Sequence, residues 1–138
     1  MKKKFSLIIF ITATLGLISI ITHSIFFEEE TINYLNGLTI FKYFTLQSNL
    51  IVAIYFLMYF IGTYKENTLF KKMFGGVVVY ISITFLVYLV LLEPILSPRG
   101  FNLIGSIFNH YITPIFVLAF LWTFKEDYKF QFKDSKTW

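Results

Sequence analysis

Residues Met73–Leu92 read MFGGVVVYISITFLVYLVLL, twenty consecutive residues without aspartate, glutamate, lysine or arginine. A helix of about 20 apolar residues is long enough to cross the roughly 30 Å hydrocarbon core of a bilayer. Three further stretches, of 23, 22 and 25 residues, are equally free of these charges: Phe5–Phe27, Tyr43–Tyr64 and Gly100–Phe124. We therefore expect an all-α integral membrane protein in a single domain over residues 1–138, a bundle of four transmembrane helices at about residues 5–27, 43–64, 73–92 and 101–124.

The composition excludes most other kinds of protein. Hydrophobic residues make up 57% of the 138-residue chain and charged residues only 14%, whereas a soluble domain carries about 25% charged residues. The high apolar content also excludes intrinsic disorder. The chain has no cysteine and only two histidines, so structural zinc and iron–sulfur sites are not expected, and we expect neither a metal nor another cofactor.

The first apolar stretch has an alternative interpretation as a signal peptide. Three lysines at residues 2–4, followed by an apolar run, are typical of such a leader. A signal core usually has about 7–15 residues, however, and is followed by small residues at the cleavage site. Residues 25–27 are Ile-Phe-Phe, so we expect the stretch to remain as the first spanning helix.

The distribution of basic residues predicts the orientation in the membrane. Ten of the twelve lysine and arginine residues lie on one side of the four stretches, in residues 1–4, 65–72 and 125–138. Cytoplasmic segments are enriched in Lys and Arg, so we expect a plasma-membrane protein with both termini, including the tail 125–138, in the cytoplasm. The net charge of +4 then reflects topology and attraction to an anionic inner leaflet, and no nucleic-acid partner is expected.

Residues near the ends of the stretches suggest how the bundle is finished. The loop Thr31–Phe41 is long enough to fold over the outer mouth of the bundle. Two adjacent glycines, Gly75-Gly76, predict close helix packing at the start of the third helix. Aromatic residues that fit interfacial belts lie at the ends of the stretches or just beyond them: Tyr43, Tyr64, Trp122 and Tyr128.

Polar residues inside the apolar stretches are concentrated toward one end. Thr45, Ser48 and Asn49 follow the i, i+3, i+4 spacing of one helical face. Glu93 ends the third stretch, and the fourth carries a second polar face: Ser106, Asn109, His110 and Thr113. With the expected orientation, all of them lie in the outer half of the bilayer. Polar groups in hydrocarbon are costly and are functional candidates by default, so we predict one site with membrane lipid as its partner.

A purely structural role is the alternative for several of these residues. Serine and threonine often bond back to the carbonyl four residues earlier, and this role is expected first for Ser48, Ser106 and Thr113. His110 differs because it lies well inside an apolar run. Pro114 follows four residues later and has no N–H, so it is expected to free the His110 carbonyl from its helical hydrogen bond.

A hydroxyl and an imidazole together can act as nucleophile and base. His110 is predicted to take the proton of Thr45, whose oxygen then attacks a carbonyl of a lipid-like substrate. Asn49 or Asn109 would donate to the developing oxyanion. Glu93 would either orient the imidazole or, as we expect first, be solvated at the interface. At 1.5 Å per residue the hydroxyl and the imidazole differ in height by about 7 Å, which helix tilt and side-chain reach would close.

Four segments resemble one family of membrane proteins. The segment 41–50, FKYFTLQSNL, resembles the start of the second helix in the androgen-induced (AIG/ADTRP) family and has the F-T-x-Q-S-N pattern of its bacterial six-pass relatives. The segment 80–88, YISITFLVY, is similar to the bacterial third helix. LLEP at 91–94 and NHYITP at 109–114 resemble the stretch that ends in the family's asparagine–histidine motif. The resemblance is collinear over about residues 41–124.

The resemblance implies packed transmembrane helices and, as in the animal members, hydrolysis of fatty acid esters of hydroxy fatty acids by a threonine and a histidine. Those positions fall on Thr45 and His110. The further candidate binding residues are Gln47, Ser48, Asn49, Glu93, Asn109 and Thr113. Family members generally have more spans after the histidine helix, whereas this sequence ends at Trp138. The chain is then either naturally short or a truncated form, and if helices are missing we expect the pocket to be open to lipid or closed by a second copy.

Three functional hypotheses follow. The first is a hydrolase of lipid esters that acts through Thr45 and His110. The second is a non-catalytic membrane protein that binds lipid or assembles with other membrane subunits. The third, which the resemblance does not support, is a haem protein with His23 and His110 as axial ligands.

Overall fold

The computed structural model describes residues 1–27, 44–62, 68–94, 98–128 and 135–136. These residues form helices and turns, and no strand is found among them. The helices are α1 (Lys2–Phe26), α2 (Phe44–Ile61), α3 (Thr68–Val87) with a π-helical turn Tyr88–Leu92, α4 (Gly100–Ile107) with a π-helical turn Phe108–Ile112, α5 (Thr113–Thr123), and a short 3-10 turn, Lys125–Asp127.

Among the residues that the structure describes, four segments are long and apolar enough to cross a membrane. The first two are α1 and α2, the third span is Thr68–Leu92, and the fourth span is Gly100–Thr123. Each has a mean hydropathy of at least 1.6 over an 18-residue window. The predicted all-α fold with four apolar helices is confirmed, and the chain is a multi-pass membrane protein.

Several helix ends differ from the ends of the apolar stretches, and two of these differences have a clear local cause. α2 ends at Ile61, because Gly62 adopts a left-handed φ of 107° and closes the helix as glycine commonly does. The third span begins at Thr68, five residues before Met73. Its first turns include the lysines at 71–72, and lysine is a good helix former. The lysines therefore mark the start of the charge-free stretch, whereas the helix itself begins before them, at Thr68.

Aromatic packing joins the four spans at the end that carries both termini. An ion pair of 2.5 Å between Lys2 Nζ and Asp127 Oδ2 places the start of α1 beside the end of the fourth span. The rings of Phe56, Phe74 and Phe120, from the second, third and fourth spans, meet edge to face with centroids 5.1–6.0 Å apart. Other aromatic residues in this core are Phe5, Tyr55, Tyr59, Phe70 and Phe124.

Nearer the other end, two glycines bring α1 close to the fourth span. A Cβ atom at Gly16 would overlap the side chain of Asn109, and one at Gly105 would overlap Ile20. Small residues at helix interfaces allow this approach of the backbones in membranes. The predicted glycine pair at residues 75–76 is buried in α3.

The predicted features at the span ends have mixed outcomes. Trp122 is exposed beside Lys125, whose Nζ lies 5.3 Å from the ring centroid, as suits an interfacial residue. Tyr128 instead packs its ring on Phe74 at 4.5 Å, and burial raises the pKa of its hydroxyl. The predicted outer loop Thr31–Phe41, together with Tyr43 and Tyr64, lies outside the described residues.

Candidate functional site

Six polar residues of the second and fourth spans are almost completely shielded. Each of the following is at most 7% exposed: Ser48, Asn49, Ser106, Asn109, His110 and Thr113. Buried polar groups must find hydrogen-bond partners or they destabilise the fold. Their contacts divide them among four helix interfaces: α2 with the third span, α2 with the fourth span, the third span with the fourth span, and α1 with the fourth span.

The first interface is a pair of hydroxyl groups. Ser48 Oγ lies 2.6 Å from Thr84 Oγ1 of the third span. Each oxygen also lies within hydrogen-bond distance of a carbonyl of its own helix, Ser48 of Phe44 and Thr84 of Tyr80. Because each hydroxyl has one hydrogen, one of the two donates to its partner and the other donates back to its own helix. Such back-bonding satisfies a hydroxyl group inside an apolar helix. Ser48 therefore joins two spans, which is the structural role expected for it.

The second interface depends on one carboxamide. Asn49 is fully buried, and its Nδ2 donates to the carbonyl of Thr45 at 2.9 Å and to the carbonyl of Asn109 at 3.1 Å. A carboxamide nitrogen has two hydrogens, so these two bonds use its whole donor capacity. Asn49 can therefore donate to an oxyanion only if it releases one of the two carbonyls.

Pro114 explains why the Asn109 carbonyl is free to accept this bond. In the π-helical turn Phe108–Ile112, the N–H of Thr113 donates to the carbonyl at the start of the turn and thus bypasses Asn109. The next residue is Pro114, which has no N–H to offer. The carbonyl of Asn109 is left without a helical donor, and Asn49 supplies one from the neighbouring span.

The third span ends with the same arrangement. Tyr88–Leu92 form a π-helical turn, closed by the N–H of Glu93, which donates to the Tyr88 carbonyl at 2.8 Å. Pro94 follows at once. Each of the two π-helical turns is thus succeeded by one residue and then by proline. Such turns are rare in helices and frequent at functional sites, and here each contributes one ring to the same contact.

That contact joins His110 to the third span. The His110 ring stacks on Tyr88, with centroids 3.6 Å apart and planes 13° apart, and the Tyr88 hydroxyl accepts a hydrogen bond from Ser106 at 3.1 Å. His110 Nδ1 is buried and has no hydrogen-bond partner in the described part of the chain. The freed carbonyl that α2 uses belongs to Asn109, whereas the sequence led us to expect that of His110.

Thr45 lies in the first turn of α2, on the face that carries Ser48 and Asn49. Its side chain is half-buried. Among the described residues, its hydroxyl forms no hydrogen bond with His110. The Asn49 carboxamide nevertheless connects the Thr45 backbone to Asn109, the residue before His110.

At the fourth interface, two predicted site residues of the fourth span face α1. The side chain of Asn109 packs over Gly16. Both of its polar atoms are buried, without hydrogen-bond partners in the described ranges. Thr113 is fully buried, and its Oγ1 lies 3.4 Å from that of Thr12. The fourth span thus presents the Asn109 and Thr113 side chains to α1 and the His110 ring to the third span.

Three other candidates lie away from this cluster. Gln47 and Glu93 are exposed, and the Glu93 carboxylate lies beside the hydroxyl of Tyr111. Interfacial solvation of Glu93, the role we expect for it first, stays a prediction. His23 lies on α1 about 10 Å beyond the glycine that contacts Asn109. The two imidazoles are thus at different heights in the bundle, which does not favour their joint ligation of a haem iron.

Contact residues that the sequence did not single out include Tyr88, Thr84, Thr12 and Gly16. The only available signals were a hydroxyl within an apolar stretch and an isolated glycine, and neither reveals which helix it faces. In the part of the chain that the structure describes, no three histidine or acidic side chains are grouped to hold a metal ion. No protein-family model, curated protein or solved structure matches the chain.

Proposed function

We propose that this multi-pass membrane protein hydrolyses a lipid-like ester through Thr45 and His110. One observation carries the proposal: a buried imidazole with an unpartnered Nδ1 lies on the helix that Asn49 connects to Thr45. A neutral imidazole with a free nitrogen is able to accept a proton. The resemblance over residues 41–124 supports the same two residues, and it favours esters of fatty acids with hydroxy fatty acids.

The proposed reaction has two steps. The His110 imidazole takes the hydroxyl proton of Thr45 while the threonine oxygen bonds to the ester carbonyl carbon. The alcohol leaves with that proton, and the acyl group stays on Thr45. Water, deprotonated by the same imidazole, then attacks the acyl–threonine, which releases the fatty acid and restores the hydroxyl. Catalytic hydrogen bonds are often long in a free enzyme and shorten when substrate binds.

Hydrolysis of 4-nitrophenyl laurate by the purified protein in detergent tests this proposal. We expect Thr45→Ala and His110→Ala to lower kcat about 100-fold or more and to abolish covalent labelling by a fluorophosphonate. Thr84→Val is the matched control, because it removes a buried threonine hydroxyl one turn from the site. Labelling or turnover that persists in both alanine variants would remove Thr45 and His110 from the mechanism.

The second candidate function is non-catalytic, with the cluster joining helices around a lipid or another membrane subunit. Two observations favour it: the hydrogen bonds of Ser48 and Asn49 link neighbouring spans, and the Thr45 hydroxyl is not bonded to His110. It predicts no ester turnover by the wild type. It also predicts a lower melting temperature for Ser48→Ala than for Thr45→Ala. Turnover that depends on Thr45 excludes this function.

A further inference from the structure

We propose that Asn49 is the positioning residue that holds Thr45 and His110 in register, an inference that rests on the proposed hydrolase function. Its carboxamide bonds to the backbone of both halves of the predicted pair: to the carbonyl of Thr45 itself and to that of Asn109, next to His110. These two bonds connect the backbone of the nucleophile to the backbone beside the base, and the connection is present without substrate.

The acceptor on the fourth span exists only because of local backbone structure. The Asn109 carbonyl is bypassed by the N–H of Thr113, and Pro114 has no N–H. In an uninterrupted α-helix this carbonyl would be occupied, and a neighbouring carboxamide would have to compete for it. The proline and the π-helical turn thus leave the Asn109 carbonyl, next to the imidazole-bearing residue, as a free acceptor. Asn49 is the donor that occupies it.

Burial makes this connection specific. Asn49 and Asn109 are both 0% exposed, so water does not replace a lost bond there. The Asn109 carbonyl, which has no helical donor, attracts an N–H donor strongly in a dry interior, since an unpartnered buried carbonyl is costly. The consequence for catalysis is geometric: a displacement of about 1 Å between reacting groups lowers the rate about 100-fold.

The test compares Asn49→Leu and Asn49→Ser with Thr84→Val. Leucine keeps the volume and removes both donors, whereas serine retains the bond to the Thr45 carbonyl and is too short for that of Asn109. Thr84→Val also removes a hydrogen bond between two spans but leaves both carbonyls untouched. In 4-nitrophenyl laurate hydrolysis we expect both Asn49 variants to lower kcat about 100-fold with KM changed less than about threefold, and Thr84→Val to retain kcat. Either folded Asn49 variant with wild-type kcat would overturn the inference.

A second measurement separates this inference from the proposed function. In a His23→Gln background, protein labelled with 13C-histidine gives one imidazole signal, that of His110. We expect Asn49→Leu and Asn49→Ser to shift or broaden this signal and Thr84→Val to leave it in place. An inactive wild type whose His110 signal responds in this way would end the hydrolase proposal and retain Asn49 as the residue that positions the imidazole. A signal unchanged in both Asn49 variants would refute the positioning role, whatever the activity.

Discussion

The side chain of Tyr88 holds two parts of the fourth span at once. Its ring stacks on the imidazole of His110, and its hydroxyl accepts a hydrogen bond from Ser106, one turn earlier. Aromatic pairs contribute about 0.5–1.5 kcal/mol beyond the area they bury, and a buried neutral hydrogen bond contributes about 1 kcal/mol. The orientation of the imidazole is therefore fixed by a residue of another span as well as by its own helix.

We expect Tyr88→Phe to lower the free energy of unfolding by about 1 kcal/mol, because it leaves the Ser106 hydroxyl without its acceptor. Tyr88→Leu should cost about 1 kcal/mol more, since the stack on His110 is lost as well. Thermal unfolding in a single detergent measures both, with Leu86→Ala on the exposed face of α3 as the control. Equal losses for Tyr88→Phe and Tyr88→Leu would show that the stack contributes no stability.

At the scale of elements, two prolines shape the end of the bundle that holds the polar residues. Pro94 and Pro114 each follow a π-helical turn, with one residue between the turn and the proline. The two turns contribute Tyr88 and His110 to one stacked contact. A proline within a helix removes a hydrogen bond and leaves a carbonyl unpaired. In the fourth span that carbonyl bonds to α2 through Asn49. The carbonyl that lacks a helical hydrogen bond in the fourth span is therefore the group through which this span bonds to α2.

A double-mutant cycle between Asn49→Leu and Pro114→Ala tests this coupling. Alanine at 114 supplies an N–H, so the helix is able to satisfy its own carbonyls and the bond from Asn49 loses importance. We expect Asn49→Leu to cost about 1 kcal/mol less in the Pro114→Ala background than in the wild type, a coupling typical of residues that share a partner. Chemical denaturation in detergent gives the four free energies of unfolding, and strict additivity would contradict the coupling.

For the whole molecule, the two ends of the bundle differ in chemistry. The end with the termini has an aromatic core from all four spans and an ion pair between Lys2 and Asp127. The other half contains the shielded polar residues around His110. The excess of basic residues beside the termini leads us to infer that the aromatic end faces the cytoplasm. A lipid substrate would then reach Thr45 from the outer leaflet.

The chain has no cysteine, so single introduced thiols report this orientation directly. We expect Asn36→Cys to react with a membrane-impermeant maleimide on intact cells. Ser135→Cys should react only after the cells are lysed, because the tail is predicted to be cytoplasmic. The cysteine-free parent is the control for background labelling. The reverse pattern would place the polar half of the bundle on the cytoplasmic side.

The amino-acid sequence by itself determined the fold class, the number of spans and their ends to within a few residues. Hydrocarbon admits only chains whose backbone groups are satisfied internally, so an uninterrupted apolar stretch of about 20 residues has few alternatives to a helix. The sequence also indicated Thr45 and His110 as candidates, because a polar group inside such a stretch is costly. Their role as a catalytic pair stays a prediction.

The tertiary structure decided which polar residues meet. Ser48 pairs with Thr84, Asn49 reaches the Asn109 carbonyl, and His110 stacks on Tyr88. Helical periodicity gives the face on which a residue lies but not the rotation or height of the helix that faces it. These contacts also depend on two π-helical turns, and each turn shifts the residues after it around the helix axis. The rotation and height of each helix against its neighbours are fixed only in the packed bundle, by the close approach of α1 and the fourth span at glycines and by the bond to the freed carbonyl.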